Sequence, residues 1–418
     1  MPRRRSAQPE PGTVVPPSGW SPDMPHPWVV VRSVAYHPFL YARMIDRADP
    51  TAQAGDLVTV FDRHGQVFGH ALYNPRSQIA LRMLRYGPDA IDAAFWRQRL
   101  AQAFALRRET LRLDDTTDAY RLVHAEGDGL SGLVIERYAD HVVFELFSLG
   151  MYRRAEELAA LTTELLGPPP ASPGRPGWKV VIRADDRAQQ LEGFRHAPRP
   201  ADGPPRVVVR ENGVRFRVDV VAGHKTGFFC DQRENRAALA RLAREACVLD
   251  LCCYTGGFGL MCRCLGKARE VTSVDLDENA LTLARENADL NQVRIEHVHA
   301  DAFVYLRQMI ARQRRYDLVV LDPPRLIPTR EAMREGRQRY LDLNKLALQV
   351  VRPGGVLLTC SCSGLMQRDD FLDMLRQAAR ISGRAITLFN FTGAGPDHPV
   401  APDCPETSYL KAAWLRVM

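Results

Sequence analysis

Two cysteines near the end of the chain are of the type needed for covalent chemistry on a pyrimidine. Cys360 and Cys362 lie in the stretch 359–364 (T-C-S-C-S-G), directly after the apolar residues 356–358. A thiolate that adds to C6 of cytosine turns C5, otherwise a poor nucleophile, into an enamine carbon that can attack a methyl group. A free thiol has a pKa of about 8.5, so it needs local help to ionise. The alternative interpretation is that both thiols are buried core residues.

A methyl donor requires a pocket, and acidic residues at the ends of apolar runs predict one. Asp250 ends a short apolar run and is followed by the glycines Gly256 and Gly257, and Asp275 ends the next such run. Glycine lets the backbone approach a ligand closely, and a helix that starts after the turn offers unpaired N–H groups. The carboxylate on the second run can accept hydrogen bonds from both hydroxyls of a ribose. The two runs therefore predict a nucleoside site.

The type of nucleoside follows from what surrounds these carboxylates. The turn lacks both G-x-G-x-x-G and G-x-x-x-x-G-K-[ST], which disfavours a dinucleotide or a triphosphate. A third acidic tip, Asp301, follows in H-A-D-A-F. Each acidic tip alone is often only a helix cap, but three in consecutive units would repel phosphate while binding ribose hydroxyls, an adenine amino group and an ammonium. S-adenosylmethionine offers all three groups and is the predicted cofactor.

The next apolar run ends in the motif Asp322-Pro323-Pro324-Arg325. Two consecutive prolines make a stiff, extended turn that could hold a flipped base beside the methyl donor. The alternative is an ordinary loop that happens to contain prolines. Methyltransferases that act on amino groups place an aromatic residue after the prolines to stack on the base, so Arg325 disfavours exocyclic N-methylation.

The elements that position these motifs alternate between strand and helix patterns over residues 214–418. This alternation predicts an α/β domain with a parallel sheet, helices on both faces and ligands at the carboxyl ends of the strands. Short alternating runs and a following helix predict a small β-barrel unit at 25–111, and a mixture of strands and helices predicts a central α+β unit at 112–213. The Pro-rich residues 1–24 are predicted to be a disordered tail.

The composition of the chain limits the number of domains, the type of partner and the cellular location. The chain has 418 residues, enough for two or three domains, and a net charge of +7, which suits an anionic partner but also a genome rich in arginine codons. Nine cysteines without a zinc-binding spacing predict no metal site and a reducing, cytoplasmic location. No apolar run is long enough to predict a membrane span. The sequence does not determine the oligomeric state, for which a homodimer is one option.

Taken together, the motifs resemble the bacterial family of large-subunit ribosomal RNA cytosine-5 methyltransferases. The resembling pieces are H-P-F-L-Y (37–41), G-D-G-L-S-G (127–132), G-H-K-T-G-F-F-C-D-Q-R-E-N-R (223–236), C-Y-T-G-G-F-G (253–259), V-D-L-D (274–277), L-D-P-P-R (321–325), S-C-S-G-L-M (361–366), D-H-P-V (397–400), Y-L-K (409–411) and R-V-M (416–418). The resemblance implies a PUA-like RNA-binding barrel, a central α+β unit and a Rossmann-like class I methyltransferase domain. It also implies large-subunit ribosomal RNA as the partner.

The resemblance further implies roles for individual residues. Cys362 becomes the nucleophile because it occupies the S-C-S position, and Asp322 binds the polar edge of the cytosine or helps to seat the cofactor. The residues implied in S-adenosylmethionine binding are Asp275 at the ribose, Asp301 at the adenine amino group, Asp250, Gly256 and Gly257 at the methionine end, and Gln232 and Arg233 closing the pocket.

The sequence departs from the family pattern at the glycine turn and at the D-P-P-R motif. Cys252 and Tyr254 stand where glycine-turn methyltransferases usually have glycine. The D-P-P-R motif lacks the second cysteine that many RNA cytosine-5 enzymes carry there, which leaves the base for the elimination step open.

Arginines follow the D-P-P motif closely: Arg325, Arg330, Arg334, Arg337 and Arg339. Such a group can bind phosphates on either side of a flipped base, and Arg325, Arg330 and Arg334 are the predicted RNA contacts. The alternative is a solvated helix face on which Glu331 and Glu335 pair with the arginines.

Two other functions remain open at this point. An RNA guanine-N7 methyltransferase of related architecture would need no thiol. A non-catalytic RNA-binding factor for ribosome assembly would need neither the thiol nor the cofactor.

Overall fold

The computed structural model describes residues 14–169, 177–197, 205–221 and 227–418. Of the predicted tail, residues 1–13 lie outside the described residues. Residues 14–24 form turns, and their Trp20 and Met24 pack against Trp28 and Phe61 of the following unit. The prediction of a disordered tail is therefore wrong for residues 14–24, because two apolar side chains attach this segment to the barrel.

The first unit is a six-stranded sheet with the strand order β2-β6-β5-β4-β1-β3. Its strands are β1 (Trp28–Val31), β2 (Phe39–Tyr41), β3 (Ile45–Ala48), β4 (Leu57–Phe61), β5 (Val67–Tyr73) and β6 (Ile79–Tyr86). β1 and β4 pair in parallel, and the other neighbours are antiparallel. β1, β4, β5 and β6 were predicted, whereas β2 has only three residues and β3 (I-D-R-A) contains two charged residues, so neither leaves a clear alternating pattern.

The central unit is a four-stranded sheet, in the order β10-β9-β8-β7, with helices packed on it. Its elements are α1 (Ala93–Ala105), which continues into a π-helical turn (Leu106–Thr110), β7 (Ala119–His124), β8 (Leu133–Tyr138), β9 (His141–Leu146), α2 (Leu149–Arg153), α3 (Ala155–Leu166), β10 (Lys179–Ala184) and α4 (Asp186–Glu192). Phe95, Trp96 and Leu100 of α1 belong to the core of this sheet. The same core includes Leu57, Leu72 and Leu84 of the barrel, so α1 packs between the two units on either side of the predicted boundary at residue 111.

The C-terminal domain begins after a hairpin that joins it to the central unit. The hairpin strands are β11 (Arg206–Glu211) and β12 (Val214–Asp219). Val209 and Phe216 of this hairpin share one core with Tyr138 of β8 and Leu260 of the C-terminal domain. The predicted boundary at residue 213 falls in the hairpin turn and is wrong, because the two strands form a single unit.

The C-terminal domain is a seven-stranded sheet in the order β15-β14-β13-β16-β17-β19-β18. Its elements are α5 (Arg233–Ala240), β13 (Cys247–Leu251), α6 (Gly257–Cys264), β14 (Glu270–Asp275), α7 (Glu278–Leu290), β15 (Glu296–His299), α8 (Ala302–Ala311), β16 (Tyr316–Leu321), α9 (Met333–Val350), β17 (Val351–Ser361), α10 (Arg368–Ser382), β18 (Ile386–Thr392) and β19 (Lys411–Val417). Strands β13 to β17 are parallel, and β19 lies antiparallel between β17 and β18.

The predicted α/β architecture is confirmed, with separate cores on the two faces of the sheet. Helices α8, α9 and α10 cover one face, and α5 and α6 cover the other. The alternation of strands and helices brings the ends of β13, β14, β16 and β17 to one edge of the sheet. Among the described residues, no helix has the length and apolar character needed to cross a membrane.

Candidate active site

A cavity of about 500 Å³ opens at the carboxyl ends of the parallel strands. Its polar residues include Asp275, Asp301, Asp322 and Cys362, each at the end of a different strand or in the residue pair that follows it. Aromatic side chains, among them Phe303, form part of its walls. The structure thus brings together the acidic tips and one of the two candidate thiols.

The turn between β13 and α6 is held in a left-handed backbone conformation at alternate residues. Cys252, Tyr254 and Gly256 have φ values of 58°, 50° and 80°. Non-glycine residues rarely adopt this conformation, so the two departures from the family pattern place a strained backbone where glycine would be relaxed. Gly257 lines the cavity, whereas a side chain at Gly256 would meet Ala284 of α7 at 3.3 Å. Gly256 does not line the cavity, contrary to its predicted contact with the cofactor, and its left-handed backbone shapes the turn instead.

Asp250 supports this turn from below. Its carboxylate is 1% exposed, and Oδ2 accepts a hydrogen bond of 2.8 Å from the Gly259 backbone N–H. Burial, reinforced by the charges of Asp322 and Asp275, raises the pKa of Asp250 to about 7. The prediction that Asp250 lines the methionine end of the pocket is wrong, because its side chain turns under the first turn of α6 and is not part of the cavity wall.

Asp275 and Asp301 face the cavity and are bonded only to backbone N–H groups among the described residues. Asp275 accepts from Tyr254 N at 2.8 Å and from Asp277 N at 2.9 Å. Asp301 caps α8 by accepting from Val304 N at 3.1 Å. Each carboxylate offers about four acceptor sites, so both retain capacity for ligand hydroxyl or amino groups.

Gln232 and Asp322 meet directly inside the cavity. Gln232 Nε2 donates to Asp322 Oδ2 at 2.9 Å, and Gln232 Oε1 accepts from Asn235 Nδ2 at 2.6 Å. Since the amide is held at both ends, it orients the Asp322 carboxylate. Sequence reasoning missed Asp277, which caps α7 and also lines the cavity. Its position in V-D-L-D was the available signal.

The prediction that Arg233 closes the cofactor pocket is wrong. Its guanidinium is buried and binds Asp397 through two hydrogen bonds of 3.0 and 2.8 Å. The Arg233 side chain points to the buried Asp397, whereas Gln232 before it lines the cavity. Arg236, three residues further along α5, lines the cavity instead.

The structure distinguishes the two candidate thiols. Both lie on the same face of the sheet because they are two residues apart, but Cys360 lies inside β17 and is fully buried in the core. Cys362 follows the end of the strand, is partly exposed and lines the cavity. Cys362 also packs against this core, so the interpretation of both thiols as core residues holds fully for Cys360 and in part for Cys362.

Two further thiols reach the cavity beside the glycine turn, Cys252 and Cys253. Burial raises the pKa of both groups, and the neighbouring carboxylates Asp250 and Asp275 raise it further. These thiols therefore remain protonated and are poor nucleophiles.

The arginines after the D-P-P motif divide between two sites. Arg325 lines the cavity, and Arg330, Arg334 and Arg337 line a neighbouring groove of about 520 Å³ at the start of α9. All of them are exposed. Within the described residues no ion pair joins these arginines to Glu331 or Glu335, which argues against the solvated-face alternative.

A buried arginine–carboxylate cluster lies behind the cavity and ties the central unit to the C-terminal domain. Its three ion pairs are Arg107–Asp128, Arg233–Asp397 and Arg236–Glu211. Arg107 also donates to the Asp397 carbonyl at 2.7 Å, and Asp397 Oδ2 accepts from Arg121 N at 3.0 Å. Burial alone would raise the pKa of Asp397, but His398 and Arg233 hold it well below its usual value.

A second contact joins the barrel to the C-terminal segment. His37 Nε2 lies 3.3 Å from Glu406 Oε2, and Cys404 Sγ donates to the same oxygen at 3.4 Å. The possible ligand atoms of these three side chains lie within 4.8 Å of one another. Hydrogen bonds account for the contacts, so we assign no metal to this group.

Two family models match the chain. Residues 132–416 match a model described as S-adenosylmethionine-dependent methyltransferase, and residues 31–86 match one described as PUA-like domain. The first match starts in the central unit, in keeping with the shared cores found there.

Curated relatives and solved structures match nearly the whole chain. It is 35% identical over 389 residues to "Ribosomal RNA large subunit methyltransferase I" of Pseudoalteromonas atlantica, covering 91% of this chain and 95% of that protein. The protein of the same name from Tolumonas auensis is 38% identical over 390 residues, with 91% and 96% covered. A methyltransferase solved in complex with SAH has a TM-score of 0.77 at 20% identity and covers 93% of this chain and 99% of its own. A SAM-dependent methyltransferase from Streptococcus mutans has a TM-score of 0.76 at 19% identity, with 93% and 99% covered.

Proposed function

Because this chain belongs to the family of S-adenosylmethionine-dependent methyltransferases, we propose that it methylates C5 of a cytosine in large-subunit ribosomal RNA, with Cys362 as the nucleophile. Family membership confirms the predicted enzyme class and the predicted cofactor. The names of the relatives support ribosomal RNA as the substrate, and the PUA-like match supports an RNA-binding role for the barrel. Such a substrate agrees with the cytoplasmic location predicted from the free thiols.

The cavity fits S-adenosylmethionine by the chemistry of its donor set. Asp275 and Asp301 have spare acceptor sites for the ribose hydroxyls and the adenine amino group, and the Gly257 backbone borders the same space. Among the described residues no lysine lines the cavity, and of the lining arginines Arg236 is paired with Glu211, whereas Arg325 and Arg339 are exposed. When bound, S-adenosylmethionine supplies a methyl group on a positively charged sulfur.

The observation that carries the cytosine-5 proposal is the position of Cys362 in the same cavity as Asp322. The Cys362 thiolate would form a bond to C6 of the cytosine, and the electron pair displaced onto C5 would form the bond to the methyl group, whose bond to the donor sulfur would break and leave that sulfur uncharged. The C5 proton then leaves to a base, the C5–C6 double bond reforms and the Sγ–C6 bond breaks. Asp322, oriented by Gln232, accepts a hydrogen bond from the cytosine amino group and so fixes the ring beside the thiol.

The RNA backbone is proposed to follow the exposed arginines that continue from the cavity. Arg325 lies at the cavity, and Arg330 and Arg334 lie along the adjoining groove. A flipped base in the cavity would bring the flanking phosphates toward these side chains.

The rival activity, guanine-N7 methylation, explains neither the partly exposed thiol at the end of β17 nor its place in the same cavity as Asp322. The non-catalytic alternative conflicts with membership of an enzyme family. We therefore keep guanine-N7 methylation only as an outcome of the following test.

The test compares Cys362→Ser with Cys360→Ser, two conservative changes at neighbouring thiols. Large-subunit RNA from a strain lacking the gene is incubated with each protein and S-adenosylmethionine, and its nucleosides are identified by mass spectrometry. We expect Cys362→Ser to lose about three orders of magnitude or more in rate with unchanged cofactor affinity, and Cys360→Ser to retain activity. Full activity of Cys362→Ser, or 7-methylguanosine as the product, would overturn the proposal.

A further inference from the structure

Lys411, the lysine of the Y-L-K motif, is buried next to the proposed nucleophile. It opens β19 and pairs with Ser361, the last residue of β17 and the neighbour of Cys362 in the chain. The side chain is 6% exposed, unusual for lysine, which is seldom buried unless it is paired. Neither the proposed reaction nor the comparisons gives this residue a role.

The Lys411 ammonium binds the residue that follows the thiol and a residue just before its own strand. Its Nζ donates to the Ser363 carbonyl at 2.7 Å and to the Tyr409 carbonyl at 2.7 Å. The Ser363 hydroxyl is held in turn by Ile327 N at 3.2 Å and the Tyr340 hydroxyl at 3.0 Å. Cys362 thus sits between residues whose backbone and side-chain groups are all anchored.

The charges around Lys411 are few, and they come from two elements. Cys362 faces it from the end of β17, and Arg325 faces it from the D-P-P-R turn. Burial lowers the pKa of Lys411 to about 8, a negative charge on Cys362 acts in the opposite direction, and Arg325 lowers the pKa slightly. Among the described residues no carboxylate lies within ion-pair distance of Nζ. A buried ammonium is costly unless it is compensated, and the observed compensating groups here are the Ser363 and Tyr409 carbonyls.

We propose that Lys411 is a positioning residue that holds the Ser361–Ser363 turn and supplies the positive charge that favours the thiolate form of Cys362. The inference rests on the proposed function for its purpose, since a thiolate is what adds to C6 of cytosine. The same ammonium explains how a partly buried thiol can ionise in a cavity that also contains carboxylates.

The rival explanation is that Lys411 only ties β19 to the turn. An arginine or a neutral side chain of the same length separates the two explanations. Arginine keeps the positive charge. Methionine keeps about the same packing volume but removes the charge. A purely structural role would respond to shape, and the proposed role responds to charge.

The experiment measures the reactivity of Cys362 directly. Wild type, Lys411→Met and Lys411→Arg are treated with iodoacetamide between about pH 6 and pH 9, and fragmentation of the peptide that contains both thiols separates Cys362 from the buried Cys360. We expect Lys411→Met to react about tenfold more slowly at Cys362 near pH 7, and to approach wild type above about pH 9, where Lys411 itself is neutral. Lys411→Arg should stay within about threefold of wild type.

Equal reactivity of Lys411→Met and wild type at neutral pH would overturn the inference, as would equal losses in both variants. Calorimetry with S-adenosylmethionine checks that each variant retains a folded cavity. If Lys411→Met does not bind the cofactor, the comparison passes to Lys411→Gln, and a wild-type reactivity of that variant would also overturn the inference.

Alkylation requires no RNA, so its result is independent of the proposed reaction. A charge-dependent loss of Cys362 reactivity together with an absence of 5-methylcytosine in the wild-type reaction would refute the proposed function and leave the thiol–ammonium pair standing. Formation of 5-methylcytosine with no effect of Lys411→Met on reactivity or on the rate of methylation would refute the inference alone.

Discussion

The carboxylates that line the cavity differ in their bonding from those in the arginine–carboxylate cluster behind it. In the cavity, Asp275 and Asp301 are bonded to backbone N–H groups and have no ion-pair partner among the described residues. In the arginine–carboxylate cluster behind it, Asp397 and Glu211 each receive two hydrogen bonds from one arginine. The cavity carboxylates can thus accept further hydrogen bonds from a ligand. The cluster carboxylates already accept hydrogen bonds from arginines, and these bonds join two domains.

The contrast also separates the two kinds of pKa shift. Burial and the neighbouring carboxylates Asp322 and Asp275 raise the pKa of Asp250 to about 7, whereas His398 and Arg233 hold the pKa of the equally buried Asp397 well below its usual value. Residues of one type, about equally buried, therefore respond in opposite directions to pH. The direction of the pKa shift of a buried carboxylate therefore depends on the charged groups that neighbour it, and burial alone does not determine it.

The largest expected effect concerns the cluster. Asp397→Asn removes the buried counter-charge of Arg233 and leaves it only the ion pair with Glu234 at the surface, so the free energy of unfolding should fall by about 3–5 kcal/mol. Urea denaturation measures this change. The matched control is Glu234→Gln, which removes the partly exposed partner of the same arginine and should cost less than about 1 kcal/mol. If the two variants lost the same free energy of unfolding, the buried ion pair would stabilise the protein no more than the surface ion pair does.

The next effect concerns ligand binding at the cavity. Asp275→Asn should weaken S-adenosylmethionine binding by about 10- to 100-fold, because hydrogen bonds to a charged acceptor contribute about 1.5–3 kcal/mol, and should change stability little. Calorimetry gives the dissociation constant, and Glu278→Gln, at an exposed acid on the neighbouring helix, serves as the control. An unchanged affinity would show that Asp275 is only a support for the glycine turn.

A third, smaller effect is the pH dependence of stability, which should have opposite signs for Asp250 and Asp397. Because the folded-state pKa of Asp250 is raised from 3.8 to about 7, its protonated form contributes stability that is fully present below about pH 4 and is lost as the pH rises through about 7. Wild type should therefore lose about 1 kcal/mol per pH unit between about pH 5 and pH 7 relative to Asp250→Asn. Parallel stability curves for the two proteins in urea would contradict this assignment.

The contribution of Asp397 has the opposite sign. Its depressed pKa means that stability is present above the unfolded value and is lost as the pH falls below about 4. Acid titration of the wild type therefore weakens the cluster under conditions in which Asp250 is still protonated.

The smallest effect concerns the strained turn at the cavity floor. Cys252→Gly places glycine where φ is 58°, so relief of strain and added chain flexibility nearly cancel, and stability should change by less than about 1 kcal/mol. Cys253→Gly, at a buried position without a left-handed backbone, should cost about 2 kcal/mol. Thermal denaturation compares them, and a larger loss for Cys252→Gly would show that its side chain matters more than its backbone.

Local patterns in the sequence were sufficient for the acidic tips and for the five parallel strands. An apolar run that ends in aspartate marks both a strand and its carboxyl end, so Asp275, Asp301 and Asp322 could be located before the structure was known. Cys362 could be separated from Cys360 only by the resemblance, because both residues share the same local pattern.

The partners of buried charges could not be predicted in this way. Arg233 meets Asp397, which is 164 positions away in the chain, and Lys411 meets Ser363 across two strands. Such contacts depend on the sheet order, and β18 and β19 left no pattern that revealed it. The same limitation applies to the predicted boundaries at α1 and at the β11–β12 hairpin, whose apolar faces pack against other units.

The position of β19 has a consequence for the order in which the protein folds. This strand is the last in the sequence, yet it inserts between β17 and β18, both of which are synthesised earlier. Until it docks, β17 presents a sheet edge with unpaired backbone groups, a template for pairing with other chains. Docking of β19 completes the sheet and brings Lys411 to the Ser363 carbonyl in one event, so a chain in which β19 is undocked lacks the proposed lysine–thiol arrangement.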